Sequence, residues 1–308
     1  MNFTACMAGL IVAGTIVYSA EPLDTVRDVG ERDAVKAILA RFKSEPTSKS
    51  EPKKVTVISA DKLKTHPKEA GTVSIRINGE GHVTGVTANI GDFANDEYKL
   101  FAAFPDMEAV TLWHNFAIGP KVAPDNSDGT GLKHLMNLKK LTRVTLAGGS
   151  LNDAGMAVAA KLPTLKEMHI WHARFTDEGI AAFRNHPTLE VIRLGPMWTN
   201  ALTDKSLESL ATCPKLRQLK LDETWLTWEN GLKHLVQRKD TLKKLELGNA
   251  LIEPADFEKL KAALPDTMIT WDGLAGAGAA INANSWTRAK ADKWIPKELL
   301  ERATKAKE

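Results

Sequence analysis

The stretch Leu141-Thr142-Arg143-Val144-Thr145-Leu146-Ala147-Gly148-Gly149-Ser150-Leu151 spaces its apolar residues by three, two and five, and the chain repeats that spacing. The set Leu141, Val144, Leu146, Leu151 returns as Leu165, Met168, Ile170, Phe175 and as Leu189, Ile192, Leu194, Leu202. It returns again as Leu216, Leu219, Leu221, Leu226 and as Leu242, Leu245, Leu247, Ile252. The first residues of these sets lie 24, 24, 27 and 26 apart, and a further step of 26 reaches Met268. Toward the N-terminus, Met107, Val110 and Leu112 keep the register, as do Val83, Val86 and Ala88 with Phe93. Only the step from 107 to 141 is long, at 34. It places roughly ten extra residues between Ala117 and Gly131, and insertions into a stacked array belong in loops.

A second column of apolar pairs precedes each set. Tyr98 and Phe101, Leu132 and Leu135, Ile180 and Phe183, and Leu207 and Leu210 lie nine and six residues before it. Leu232 with Leu235 and Phe257 with Leu260 follow at slightly longer offsets, whereas Met156 and Ala159 make a thinner contact. A spacing of three is helical, so each unit reads as a short strand followed by a short amphipathic helix. Asn152-Asp153, Thr176-Asp177 and Thr203-Asp204 stand where side-chain oxygens can accept from a helix's free amide groups. Pro163, Pro187, Pro214 and Pro265 mark helix ends, because proline cannot continue a helix.

These two columns resemble the leucine-rich-repeat family, and the Thr-Asp-x-Gly turn is most similar to its ribonuclease-inhibitor-like and bacterial 24-residue types. The resemblance covers residues 83–273, about two thirds of the chain. It implies an α/β solenoid with a curved parallel sheet on the concave side and short helices on the convex side. It says little about activity.

Outside the repeats the chain changes character. Residues 1–20 hold no charged side chain, and the apolar run from Met7 to Tyr18 ending in Ser19-Ala20 reads as an export signal. It lacks the usual Lys or Arg at its start, and a retained anchor is the alternative that would involve a membrane. Residues 21–52 are polar, with one amphipathic stretch from Arg32 to Phe42, and are expected to be mobile or weakly docked. Residues 53–82 carry the strand runs Val55–Ile58 and Val73–Ile77, then Asn78-Gly79 and Gly81, which predicts a hairpin leading into the first repeat as an N-terminal cap. Residues 274–308 read as a Gly/Ala linker followed by a basic helix, with Trp286 and Trp294 favouring its docking.

Composition narrows the function classes. A net charge of +3 over 308 residues, without a basic stripe, argues against nucleic acid. Of the two cysteines, Cys6 falls in the apparent signal, and Cys213 holds a slot filled by leucine in other units, which makes it a core residue. There is no GxSxG elbow, Walker glycine loop, HExxH or paired-cysteine pattern. Asp125-Asn126-Ser127-Asp128-Gly129 fails as a calcium loop because its first ligand position falls on Pro124. No cofactor is indicated. A zinc site of His114, His169 and His172 lacks a third ligand within reach.

The family resemblance implies that side chains alternating with the leucines face the concave surface. The column five residues into each unit reads Thr111, Thr145, His169, Arg193, Lys220, Glu246. The next reads Trp113, Ala147, Trp171, Gly195, Asp222, Gly248. The face thus passes from aromatic and uncharged to mixed charge. Strands about 4.8 Å apart put Trp113 and Trp171 roughly 10 Å apart with Ala147 between them, a slot for a flat group. The alternative is two indoles lying over Ala147 and Gly148. The expected function is a non-enzymatic, exported module binding a protein or peptide, or alternatively a glycan, through Thr111, Trp113, Thr145, Ala147, His169, Trp171, Arg193, Lys220, Asp222 and Glu246. A ubiquitin-ligase substrate adaptor of F-box-like type is a further alternative, and would need a helical recruiting domain before the repeats.

Overall fold

The computed structural model describes residues 17–19, 23–41, 54–59, 73–89, 93–113, 127–147, 151–195, 202–283 and 295–306. Eleven strands form a single sheet in chain order. They are β1 (Val17–Ser19), β2 (Lys54–Ser59), β3 (Val73–Ile77), β4 (Val83–Asn89), β5 (Ala109–Trp113) and β6 (Arg143–Ala147). After these come β7 (Glu167–Trp171), β8 (Val191–Gly195), β9 (Gln218–Asp222), β10 (Lys244–Gly248) and β11 (Met268–Trp271). All neighbours run parallel except β3 and β4, which form an antiparallel hairpin through the turn at Asn78 to His82. Val110 faces Val144, Val144 faces Met168, Met168 faces Ile192 and Ile192 faces Leu219 across the ladder, as the repeat spacing requires. Each such residue is buried in a core that continues from Val26 to Leu264. This is the architecture of an α/β leucine-rich-repeat solenoid.

The last unit departs from the expected register. Met268 pairs with Lys244 and Ile269 with Leu245, so the final strand-to-strand step is 24 residues, and the residue counted as a core position faces outward, 61% exposed. Ile269 and Trp271 point toward the core instead, with the Trp271 ring 4.6 Å from that of Phe257.

The second limb of each unit is helical but not uniformly α-helical. Asn95–Ala103, Thr130–Leu135 and Leu232–Arg238 are 3-10 segments. The limbs α2 (Asp153–Ala159), α3 (Asp177–Ala181), α4 (Asp204–Leu210) and α5 (Pro254–Ala263) are α-helical. Limbs of five to ten residues are too short to be stable helices alone, so packing of the buried pairs holds them. Asn152, Thr176 and Thr203 cap α2, α3 and α4, as their positions predict.

The aspartate after each cap has a different role, which the spacing alone did not show. Asp153 accepts from the backbone N–H of Thr176 at 2.7 Å, its hydroxyl at 2.9 Å and the N–H of Gly179 at 3.0 Å, all in the next unit. Asp177 does the same for Thr203 and Ser206, and Asp204 for Thr227. Each carboxylate thus staples one unit to its successor with charge-assisted bonds. Gly179 is required by this contact, since a Cβ there would lie 2.5 Å from Asp153 Oδ1.

Both ends differ from the sequence expectation. Within residues 21–52, α1 (Val29–Arg41) is docked, with Val26, Ala34, Val35 and Ile38 buried in the main core. The segment is polar on average, but its few apolar residues share one helix face and its polar groups are stitched down. Asp28 Oδ1 accepts from Glu31 N–H at 2.8 Å, and the buried Glu31 carboxylate accepts from Val83 N–H at 2.7 Å and meets His82 Nδ1 at 2.8 Å. At the other end, the Gly/Ala run is no linker but a helix, α6 (Gly273–Ala283), lying against α7 (Lys297–Lys305). Its small residues permit the approach, because a Cβ at Gly278 would collide with the Ala303 carbonyl. Ala277, Ile281, Ile295, Leu299, Leu300 and Ala303 form a second small core with Leu251. Trp286 and Trp294, residues 1–16 of the apparent signal, and Ala117 through Asn126 of the insertion lie outside the described residues.

The contact between Glu31 and His82 makes docking of α1 sensitive to pH. The hydrogen bond to Glu31 holds the His82 pKa above its usual value, against desolvation, with Asp106 and Glu80 adding to the rise. A raised histidine contributes stability in full below the unfolded value of about 6.5, and loses it as pH rises through the folded value. The melting temperature should therefore fall between mildly acidic and mildly alkaline pH more steeply in the native protein than in His82→Gln. Equal slopes would show that this contact is not the source.

Candidate functional site

The open face of the sheet is set by strand alternation: residues on either side of each buried apolar position point away from the core. Three columns result, and the ladder joins Thr111, Thr145, His169, Arg193, Lys220 and Glu246 edge to edge along the middle one. The structure brings the proposed residues together as a continuous strip, but they are not equally accessible. Thr111, Thr145 and Ala147 are buried, and His169 is 9% exposed. Thr111 lies between Thr87 and Thr145, and Thr145 between Thr111 and His169, so short side chains hemmed in on both sides close this end of the strip. Trp171, Arg193, Lys220, Asp222 and Glu246 are half-buried and form the accessible part.

At Trp171 the indole lies down on the sheet rather than standing up as one wall of a slot. Trp171 leans onto the next rung, where a Cβ at Gly195 would lie 2.6 Å from its Cδ1, and it meets the His169 ring edge-on at 5.7 Å. Asp222 leans the same way, over Gly248. The glycines of this column therefore house the side chain of the preceding rung. The backbone of Trp113 pairs with Asn89, while its side chain and His114 lie outside the described residues. His172 leaves the strand with φ of 53° and is not part of the face.

Most charges of the face are paired with one another. Arg143 Nε meets Glu167 at 2.7 Å, Lys220 meets Asp222 at 3.2 Å, and Glu246 is held by Lys244 at 3.0 Å and Gln218 at 3.0 Å. Arg143, Glu167, Gln218 and Lys244 belong to the remaining column, three residues into each unit, and were missed as site residues; the alternation that marked the other columns marks this one equally. Burial opposes ionisation of Glu167, but Arg143 more than offsets it and holds the carboxyl low. Burial likewise opposes ionisation of Glu246, and Lys244 and Gln218 outweigh it. At Asp222 burial prevails over Lys220, aided by repulsion from Asp272 and Glu246, and the carboxyl is raised.

The described cysteine is not a prepared nucleophile. Cys213 is buried, donates to the Phe183 carbonyl at 3.2 Å, and is pushed up to about 11 chiefly by burial, so its thiol stays protonated at neutral pH. No group of three or more His, Cys, Asp or Glu among the described residues could hold a metal, and no described helix is long and apolar enough to cross a membrane.

The face and ladder together define the chain as a leucine-rich-repeat solenoid with a half-open, charge-paired strand face. No protein-family model matches it and no curated protein matches its sequence. Among solved structures it is similar to a leucine-rich-repeat protein of Leptospira interrogans, at 20% identity over 66% of this chain and 47% of that one, with a TM-score of 0.40. It is also similar to two internalins of Listeria monocytogenes. The inlF protein aligns at 16% identity over 72% of this chain and 53% of that one, with a TM-score of 0.40. The inlC2 protein aligns at 17% identity over 86% and 94%, with a TM-score of 0.37. The chain spans about half the length of the first two.

The lean of Trp171 onto Gly195 can be tested directly. Gly195→Ala should displace the indole, shift its Nε1–H resonance and destabilise the fold by about 1–3 kcal/mol, the usual cost of overpacking. An unchanged indole resonance and unchanged denaturant midpoint would place the ring elsewhere.

Proposed function

We propose that this protein is a non-enzymatic binding module that holds an extended protein or peptide segment across the open face of β7 to β10. The observation that carries this reading is the strip Trp171, Arg193, Lys220, Asp222, Glu246, five half-buried side chains of mixed character on four successive rungs. Each rung is fixed by two neighbours, so the strip is set before a partner arrives and little ordering entropy opposes binding. A glycan gains no specific support, since the indole that would serve as a stacking platform is laid over Gly195. A ligase-adaptor role is disfavoured because the helix before the repeats, α1, is docked into the solenoid's own core. Selection of displayed random peptides against the folded protein tests the reading. Selected peptides should lose at least about tenfold in affinity to Trp171→Ala, as central aromatic contacts do, while its melting temperature stays near that of the native protein. Peptides that bind Trp171→Ala and Glu246→Gln unchanged would put the site elsewhere.

We also infer export, from the uncharged apolar run Met7 to Tyr18 followed by Ser19 and Ala20. Cleavage there would remove β1, which pairs with β2, from the edge of the sheet. Mass spectrometry of the protein from its native host should find a new N-terminus close to residue 21, and an intact N-terminus in a cytosolic fraction would exclude export by cleavage.

A further inference from the structure

Among the described residues, a cation at the centre of the strand face is left without an ion pair. Arg76 is paired with Glu108, Arg143 with Glu167, Lys220 with Asp222 and Lys244 with Glu246. Arg193, at the centre of the strip, makes no ion pair among the described residues, and its Nε–H is buried without a hydrogen-bond partner. Nε itself has no exposed surface, so a partner would meet this half-buried residue at the outer nitrogens of its guanidinium.

The surroundings define what would complete it. The rung neighbours of Arg193 in its own column are His169 and Lys220, neither of them an acid. Lys220 is committed to Asp222, and Glu246, the next residue of that column, is committed to Lys244 and Gln218 and reaches Arg193 only as a longer-range attraction. Two residues along β8, Gly195 carries the Trp171 indole, so an apolar ring lies on the same face of the same rung. A guanidinium presents a planar fork of donors that matches the two oxygens of a carboxylate, and a neighbouring low-dielectric wall strengthens that pairing. A basic group brought to the same place would face Arg193 and Lys220 with no free acid to meet it.

We propose that Arg193 is the anchor for a carboxylate of the bound segment, supplied either by an acidic side chain or by a peptide C-terminus. This rests on the strand face being the binding surface, and it adds the chemistry of the partner. The acidic group sits over β8, between the Trp171 ring and the Lys220–Asp222 pair, and the rest of the peptide crosses the neighbouring rungs.

The Nε–H resonance of Arg193 in the full-length protein reports on the state of its guanidinium. Three blocked tripeptides serve as probes at constant ionic strength: Ala-Asp-Ala amide, Ala-Ala-Ala with a free C-terminus, and Ala-Asn-Ala amide as the uncharged control. At least one carboxylate probe should move the resonance saturably, with at least about tenfold tighter binding than the control, and the preferred probe tells side-chain from terminal carboxylate. Arg193→Lys should weaken that binding several-fold by losing the fork, and Arg193→Gln should abolish it, read from the Trp171 indole resonance in both variants. An Nε–H unmoved by either carboxylate, or moved equally by the control, overturns the proposal. The displayed-peptide selection separates the two readings. Peptides sensitive to Trp171→Ala, but lacking acids and indifferent to Arg193→Gln, would leave the face in place and remove the carboxylate. Peptides indifferent to both substitutions would remove the face as well.

Discussion

Everything in this molecule depends on one constraint: no repeat can cover its own apolar side. Leu194 is buried only because Ile170 lies on one side of it and Leu221 on the other, and each of those relies in turn on its own neighbour. The parallel ladder joins the rungs through the backbone on one side, and the aspartates Asp153, Asp177 and Asp204 join them on the other. Stability in such an array is approximately a sum over nearest-neighbour contacts, so the places without a neighbour are where the structure must change.

The two ends meet that need in different ways. At the start, the direction of the strands reverses at the β3–β4 hairpin, and α1 with the residues just before it adds Val26, Val35 and Ile38 to the core while Glu31 ties it to His82 and Val83. At the other end, α6 and α7 cover Leu251 and Trp225, beside the bridge that joins those two residues, rather than lying across β11. The last rung is finished by the Phe257–Trp271 contact, with the Lys261 ammonium 5.3 Å over the Phe257 ring.

A backbone held from both sides presents its face as a fixed pattern. Glycine at 195 and 248 lets Trp171 and Asp222 lie down over the next rung, which closes the face as a surface while leaving it irregular enough to be read. Most of the charge on it is neutralised internally, so partner choice falls to the groups left over. Arg193 is such a group, and its importance comes from what its neighbours are already bound to rather than from its own position in the repeat.

The fold was legible because burial in a solenoid is periodic: Leu141, Val144, Leu146 and their successors report the same environment again and again, and a local spacing is enough to identify it. The composition of the strand face was legible for the same reason, since Thr145, His169, Arg193 and Lys220 occupy one alternation. What could not be read locally was anything set between units. The spacing counted Met268 as a core residue, but pairing with β10 turned it outward. The Asp after each cap looked like part of its own helix and proved to bind the next one. The polar segment around Glu31 and the Gly/Ala run around Gly278 looked unstructured, and their partners, Val83 and Ala303, lie far along the chain. Which way Trp171 leans, and that Arg193 makes no ion pair among the described residues while Lys220 and Glu246 do, are likewise facts of one rung against another. Sequence determines what each residue can contribute; only stacking decides which contributions are already used.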